Sequence, residues 1–254
     1  MHPASNHSGD EKVSFGFSDV ERKAKVGLVR GVFDAVANRY DLMNDLMSLG
    51  LHRTWKNALV DALAPRNGMQ LLDLAGGTGD IAHRFLTRAP QGEVTVLDIN
   101  EAMLREGRDR SIDRNAMQGI SWLCSNAEHL PFADASWDAC TIAFGIRNVT
   151  DIPQALREIR RVLKPGGRFL CLEFSPLPPS LFERFYEAYS FHVIPRIGQA
   201  VAGSAEPYRY LVESIRRFPN METFARMMTE AGLDQVRFRS MSRGIVALHS
   251  GWRI

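Results

Sequence analysis

The sequence contains only three cysteines among its 254 residues, without the even count of a disulfide framework. They are Cys124, Cys140 and Cys171, each within an apolar, strand-like segment and without the spacing of metal ligands. Free cysteine behaves as a small apolar side chain that is commonly buried. We therefore expect three buried, reduced thiols and no metal site.

The chain also lacks long apolar runs. No segment approaches the roughly 20 apolar residues that a membrane-spanning helix needs. The polar start MHPASNHSGDEK has no apolar stretch of the kind that a secretory signal carries. We expect a cytoplasmic protein in which residues 1–19 form a disordered tail, because they contain little that could join a core.

Charge of one sign is not in excess, since 31 Lys and Arg residues stand against 29 Asp and Glu residues. Proteins dedicated to nucleic acid usually carry a strong basic excess. Nucleic acid is therefore not an expected partner. With 45% hydrophobic residues, the chain can bury the core of an enzyme-sized domain.

Apolar periodicity divides the chain into a helical start and an alternating core. Helical spacing predicts a cap segment over residues 20–65. Over residues 66–254, five short apolar strands alternate with helices, which predicts an α/β fold with a mostly parallel sheet covered on both faces. An aromatic-rich insertion at 175–220 interrupts this pattern, and two final strands, DQVRFRSM and GIVALHS, are predicted to pair antiparallel at the sheet edge. This arrangement resembles the class I methyltransferase fold, a Rossmann-like three-layer architecture, with a helical cap.

A glycine-rich turn, LDLAGGTGD, follows the first core strand and opens a helix. Asp98 ends the second strand, where a carboxylate can accept both ribose hydroxyls of an adenosine ligand. The turn lacks the third glycine of a dinucleotide fingerprint, and we expect Asp80 at the helix start to repel a diphosphate. It is closer to the methyltransferase form D-x-G-x-G-x-G, with Ala75 in place of the first glycine. The turn therefore favours S-adenosylmethionine, which carries no phosphate.

The segment SNAEHLPF follows the third core strand. Asn126 can pair with the edge of an adenine ring, and the small Ala127 beside it leaves room for the ring. Asn126 can equally be a turn or capping residue, because asparagine is common in turns. Both interpretations stay open from the sequence.

Longer segments resemble the ubiquinone/menaquinone biosynthesis C-methyltransferase family. YDLMNDLMSLGLHRTW (residues 40–55) and RVLKPGGRFLCLEFS (residues 161–175) resemble its two signature segments, and FGIRNVTD, YSFHVIPRIG and GIVALH are similar to it as well. The resemblance covers nearly everything from about Val13 to the C-terminus. It implies transfer of a methyl group from S-adenosylmethionine, leaving S-adenosylhomocysteine, to a ring carbon of demethylmenaquinol, of 2-methoxy-6-polyprenyl-1,4-benzoquinol, or of both.

The resemblance also implies cofactor contacts at four positions, to which the glycine turn adds two. Relatives often carry serine where this chain has Ala143, so we expect no hydroxyl contact there. The expected cofactor-binding residues are Asp73, Gly77, Thr78, Asp98, Asn126 and Ala127.

Methyl transfer to an aromatic carbon requires electron density that a quinol supplies best as a phenolate. A phenol with a pKa of about 10 is mostly protonated at neutral pH. We expect Arg147, in FGIRN, to stabilise the phenolate and Asn148 to orient it, although Arg147 can instead form a structural ion pair with an acid such as Asp151. His52 and His192 are the alternative bases, because imidazole titrates near neutrality.

A flat ring with a prenyl tail calls for an apolar and aromatic lining. The first signature segment and the insertion provide such residues, although an aromatic stripe is as often part of the core, and Asp41 can equally cap a helix. The expected substrate-binding residues are Tyr40, Asp41, Trp55, Tyr186, Tyr189 and Tyr208.

The lipid-soluble tail suggests transient docking at the inner membrane face. A quinone-biosynthesis complex and a homodimer also stay open as partners. Three other functions compete: an NAD-dependent oxidoreductase, a non-catalytic binding module, and a small-molecule or RNA methyltransferase. The missing third glycine disfavours the oxidoreductase, and the presence of Arg147 and Asn148 disfavours the binding module. The balanced charge disfavours a groove that binds RNA.

Overall fold

The computed structural model describes residues 12–34, 45, 48, 50–176 and 206–254. Each strand in these ranges is short except the seventh, which runs over twelve residues. The strands are Lys12–Phe15 (β1), Ser18–Glu21 (β2), Gln70–Leu74 (β3), Glu93–Asp98 (β4), Ile120–Cys124 (β5), Trp137–Ala143 (β6), Leu163–Phe174 (β7), Asp234–Met241 (β8) and Val246–Trp252 (β9).

Helices connect the parallel strands and precede the sheet. Several begin at a side-chain cap, for example Asn100, whose Oδ1 accepts from the Met103 amide, and Asp151, whose Oδ1 accepts from the Gln154 amide. The α-helices are Arg22–Asp34 (α1), His52–Leu63 (α2), Asp80–Arg88 (α3), Glu101–Asp113 (α4), Ile152–Val162 (α5), Glu206–Arg217 (α6) and Met221–Glu230 (α7).

Seven strands form the central sheet in the order β5-β4-β3-β6-β7-β9-β8. The first five strands along this order pair in parallel, whereas β9 pairs antiparallel with both β7 and β8. The predicted α/β fold and its C-terminal antiparallel pair are therefore confirmed. The chain leaves β3 toward β4 on one side and returns to β6 on the other, so the strand order reverses at β3.

The two faces of the sheet carry separate cores because successive strand residues point in opposite directions. In β3, Leu71 packs with Leu59 of α2 and Phe85 of α3 on one face. Leu72 and Leu74 pack on the other face, together with side chains of α5 and α7. Asp73 shares the face of Leu71, and this places a buried carboxyl group next to α2 and α3.

Two expectations are wrong in part. Residues 12–21 lie in an antiparallel hairpin of β1 and β2 rather than in a disordered tail, because Phe15 stacks on Tyr210 of α6 at a centroid distance of 4.3 Å. Cys140 and Cys171 are buried as expected, but Cys124 is exposed. It stands at the end of β5, the outermost strand on its side of the sheet, where less of the sheet covers it.

Within the described ranges, no helix is both long and apolar enough to cross a membrane.

Candidate functional site

A cavity of about 780 Å³ opens at the carboxyl ends of the parallel strands around β3. Ligands of open α/β sheets bind at this edge, where the strand order reverses. One wall is polar and follows β4 and β5, and the other is mostly apolar. Its lining includes Val29, Phe33, Ala75, Gly77, Asp98, Met103, Asn126, Ala127, Phe144, Asn148 and Val149.

The glycine turn forms the floor of this cavity. Ala75, in place of the first glycine of the methyltransferase form, adopts a left-handed conformation with φ of +47°. That conformation disfavours residues with a Cβ, so the alanine stores strain in the turn. Gly145 packs directly against it, and a Cβ on Gly145 would lie 2.5 Å from the Ala75 Cβ. The pair keeps two backbone segments in close approach at the site.

Asp98 links the glycine turn to the segment that follows β4 through its two carboxylate oxygens. Oδ2 accepts from the Gly77 amide at 2.9 Å, and Oδ1 accepts from the Asn100 amide at 2.8 Å. Burial raises the pKa of Asp98 to about 6, against the lowering effect of these backbone bonds. A carboxylate has roughly four acceptor positions, so Asp98 can still accept a hydrogen bond from the ribose of a ligand.

Asn126 and Ala127 both line the cavity, as predicted for an adenine contact. Asn126 Oδ1 accepts from the Glu128 amide at 3.0 Å, so its side-chain oxygen stabilises the turn, as in the alternative interpretation. Its amide nitrogen is the atom left for a ligand. The two interpretations of Asn126 are thus compatible.

A smaller recess lies behind the turn and shares Ala75 with the cavity. It is lined by Lys56 and Asp80, together with Asp73, Thr78 and Ala143. Asp80 Oδ2 accepts from Lys56 Nζ at 2.9 Å and Oδ1 from Arg84 Nε at 2.8 Å, and the two cations hold the pKa of Asp80 at about 2 against the opposing effect of burial.

These ion pairs correct one sequence argument. Asp80 was expected to repel a diphosphate from the start of α3, but two cations offset its negative charge. Its carboxylate is therefore no independent reason to exclude a diphosphate.

Asp73 is fully buried at the end of β3. Its Oδ1 accepts from Thr141 Oγ1 at 2.8 Å, whereas Oδ2 makes no hydrogen bond with the described residues. Burial raises the pKa of Asp73 to about 7. An acceptor that is buried without a donor normally awaits a ligand or water.

Arg147 lies in a 3-10 turn just past β6, with its side chain only 3% exposed. Its Nη1 donates to Glu173 Oε1 at 2.6 Å and to the Phe144 carbonyl at 2.6 Å, while Nε donates to Ser214 Oγ at 3.3 Å. Nη2 makes no hydrogen bond within the described ranges, and Arg147 lines a second cavity together with Tyr210 and Lys25.

The ion-pair alternative for Arg147 named the wrong acid. Asp151 caps α5 and binds Arg22 at 3.2 Å, whereas the partner of Arg147 is Glu173 near the end of β7. Glu173 was missed from the sequence, although a lone acid in the apolar run RFLCLEF signals a buried partner. Burial raises the pKa of Glu173, and the charge of Arg147 opposes that rise.

Asn148 does not orient Arg147, contrary to the expectation. Its Oδ1 accepts from the Tyr210 hydroxyl at 3.0 Å. Asn148 lines the first cavity and Tyr210 lines the second, so this bond lies in the wall between the two. Burial raises the pKa of Tyr210 to about 12, which keeps its hydroxyl a donor.

His52 is buried at the start of α2, and its Nε2 lies 2.9 Å from Asp45 Oδ1. Burial lowers the pKa of His52, so the ring is mostly neutral near pH 7. It lines neither of the two cavities.

Two of the expected substrate-binding residues lie in the core. Trp55 is 3% exposed, packs against Phe144 and Phe174, and donates through Nε1 to Ser242 Oγ at 2.9 Å. Tyr208 is fully buried. Neither lines the first or the second cavity, so direct contact with a substrate is not supported for them; Trp55 packs against Phe144, which lines the first. The remaining expected residues, Tyr40, Asp41, Tyr186, Tyr189 and His192, lie outside the described residues.

Comparisons with known proteins agree on one family. The model of the ubiE/COQ5 methyltransferase family matches residues 19–253. The ubiquinone/menaquinone biosynthesis C-methyltransferase UbiE of Paracoccus denitrificans is 57% identical over 244 residues, covering 96% of this chain and 98% of its own. The protein of the same name from Dinoroseobacter shibae is 55% identical, covering 97% of this chain and 99% of its own.

A solved structure with a similar fold is an S-adenosylmethionine-dependent methyltransferase from Aquifex aeolicus. It superposes with a TM-score of 0.58 at 14% identity, covering 78% of this chain and 89% of its own. At that identity the likeness concerns the fold alone, and it confirms the class I methyltransferase architecture.

Proposed function

The chain belongs to the ubiE/COQ5 methyltransferase family, and from this we infer that it is an S-adenosylmethionine-dependent C-methyltransferase of ubiquinone or menaquinone biosynthesis. Its substrate is a polyprenylated quinol, and the methyl group goes to a ring carbon. The observation that carries the assignment beyond family membership is the adjacency of the two cavities, which share Val149 and Thr150 in their linings. Asp98 and Asn126 stand in the first, Arg147 and Tyr210 stand in the second, and the bond between Asn148 and Tyr210 lies in the wall between them.

S-adenosylmethionine, when bound, supplies an electrophilic methyl group on a positively charged sulfur. Asp98 would hold the ribose and Asn126 the adenine edge, with Gly77 and Thr78 in the turn below. Positioning of the acceptor carbon and exclusion of water can lower the barrier by roughly 7 to 11 kcal/mol. The apolar wall of the first cavity, with Phe144 and Val149, would help to exclude water.

For the phenol, we propose that Arg147 stabilises the developing phenolate through Nη2. Glu173 fixes the guanidinium from the opposite side, because it binds Nη1 and the Arg147 amide at 2.6 and 3.4 Å. Tyr210 and Asn148 would then contact an oxygen of the quinol on the side that faces the cofactor. His52 is disfavoured as the base, since it lines neither cavity.

The first test is turnover. Purified protein is incubated with S-adenosylmethionine and, separately, with short-tailed demethylmenaquinol and 2-methoxy-6-prenyl-benzoquinol under reducing conditions. Mass spectrometry of the product should show one added methyl group on the ring of at least one quinol. Methylation of neither quinol, by protein shown by calorimetry to bind S-adenosylmethionine, would refute the assigned substrate class.

The role of Arg147 is tested by a pH profile. Removing Arg147 alone leaves Glu173 as an unpaired buried charge, so the matched variant is the double Arg147→Gln/Glu173→Gln, which removes both charges. Its kcat should be about 10²-fold or more below that of the parent at pH 7 and should recover toward pH 10, where the phenol ionises by itself. Cofactor affinity should stay within about threefold. A loss of kcat that stays constant with pH would remove phenolate stabilisation from the mechanism.

We also propose that the protein reaches its lipid-soluble substrate at a membrane surface. Phe17 in the β1–β2 turn and Leu28 on α1 are 50% and 41% exposed, close in sequence to the basic Lys23 and Arg30. Exposed apolar side chains among basic ones suit an anionic lipid surface. If liposomes containing anionic lipid fail to float the protein, with or without quinol, this docking is wrong.

A further inference from the structure

The recess behind the glycine turn contains a buried cation that the proposed function does not use. Lys56 on α2 is 5% exposed, and its Nζ makes one hydrogen bond within the described ranges, to Asp80 Oδ2 at 2.9 Å. An ammonium group has three donors. Two donors of a buried charge are therefore left for something that enters the recess.

Asp80 does not account for the presence of Lys56 by itself. The same carboxylate also binds Arg84 through its other oxygen, and Arg84 reaches the Asn57 side chain as well. Asp80 is thus neutralised at the start of α3 without Lys56. Burying an additional ammonium is costly unless it gains a further partner.

The recess also contains an acceptor without a donor. Asp73 Oδ2 is buried and makes no hydrogen bond with the described residues, and the charge of Lys56 acts on Asp73 from nearby. Small side chains, Ala75 and Ala143, leave the space between these polar groups open. A cation with spare donors and an anion with a spare acceptor therefore face one recess that adjoins the adenosine cavity at Ala75.

An α-amino acid fits this arrangement because it carries an ammonium and a carboxylate on one carbon. We propose that Lys56 binds the α-carboxylate of the amino-acid part of S-adenosylmethionine, opposite Asp73, which takes the α-ammonium. This inference rests on the proposed function for the identity of the cofactor. Lys56 is then the residue by which the site distinguishes the complete cofactor from adenosine sulfonium compounds that lack the carboxylate.

The test compares two ligands by calorimetry: S-adenosylmethionine and its decarboxylated analogue, which keeps the adenosine, the sulfonium and the amine. A hydrogen bond to a charged group is worth about 1.5 to 3 kcal/mol, so the parent should prefer the complete cofactor by roughly 10- to 100-fold. Lys56→Met should reduce that preference to about threefold or less. Lys56→Arg, which keeps a cation, should retain most of it.

A purely structural Lys56 predicts a different result. If the ion pair with Asp80 only holds α2 against α3, Lys56→Met weakens both ligands alike and leaves their ratio unchanged, and that outcome would overturn the proposal. Lys164→Met is the matched control, because Lys164 pairs with Asp138 at 2.7 Å at the opposite edge of the sheet. It should change neither affinity.

Two outcomes need no variant. If the parent binds the decarboxylated analogue as tightly as S-adenosylmethionine, the proposal is wrong even if Lys56→Met fails to fold. If the parent binds neither ligand, the proposed function fails first, and the inference about Lys56 fails with it.

Discussion

Asp73 should make the ligand-free protein less stable as the pH rises, and Asp73→Asn should relieve this. The carboxyl group is fully buried, and burial raises its pKa to about 7 in the folded chain. In the unfolded chain the same group has a pKa of about 3.9. Ionisation is therefore easier in the unfolded state, and each pH step between these two values favours unfolding.

The magnitude follows from the difference between the two pKa values. A separation of about three pH units corresponds to about 4 kcal/mol at most, reached only above pH 7. Asparagine keeps an oxygen for the Thr141 hydroxyl and carries no charge. Because a chain of this size shifts by roughly 2 to 4 °C per kcal/mol, the variant should melt up to about 8 to 16 °C above the parent at pH 8. At pH 4 the two should melt close together.

The assay is thermal unfolding of both proteins, without ligand, in buffers from pH 4 to pH 8.5. The difference between the two curves should grow from pH 4 to pH 7 and stay constant beyond it. Asp138→Asn is the control, and its effect on stability should have the opposite sign. Asp138 is less buried than Asp73, and Lys164 holds the pKa of Asp138 below its ordinary value. That variant should be less stable than the parent by an amount that is nearly constant above about pH 5 and shrinks only as the pH falls toward 4 and below. A difference for Asp73→Asn that does not change with pH would refute the reasoning.

Two further predictions concern the cavity floor. Asp98→Asn should weaken S-adenosylmethionine binding about 10-fold or more at pH 8. Calorimetry of the parent should show that affinity for S-adenosylmethionine rises with pH through about 6, where Asp98 ionises. Equal pH profiles of affinity for the variant and the parent would contradict this. Gly145→Ala should lower the free energy of unfolding by about 1 to 3 kcal/mol, because the new methyl group overpacks against Ala75. Adding Ala75→Gly to the same chain should restore the lost stability, measured by urea unfolding. A double variant that is no more stable than the single variant would show that this contact is not the cause.

The sequence was sufficient for the sheet and for the residues that follow strand ends. Short apolar segments between helices predict parallel strands, and parallel strands bring their carboxyl ends to one edge, so Asp98, Asn126 and Ala127 had to meet there. The order of the strands within the sheet could be inferred only from the family resemblance. Periodicity alone does not say on which side of β3 the chain returns.

The sequence was insufficient where a partner is far along the chain. Arg147 and Glu173 are 26 residues apart, and several acids, Asp151 among them, could have served as the partner. Lys56 and Asp80 come from different helices that meet only after the sheet has formed. The hairpin of β1 and β2 is stabilised by Tyr210, almost 200 residues away, so its short polar sequence gave no local signal of order.

The arrangement of buried acids supplies the argument against a diphosphate that Asp80 no longer supports. Asp73 and Asp98, which have no cation paired with them in the described ranges, stand at or near the carboxyl ends of β3 and β4, and burial raises the pKa of each. A diphosphate brought to this edge would raise these pKa values further and would oppose its own binding. A ligand that carries a sulfonium and an ammonium has the opposite effect, because it favours the ionised carboxylates. The acids destabilise the empty site, and a positively charged cofactor with hydroxyl donors is the class of ligand that removes this cost.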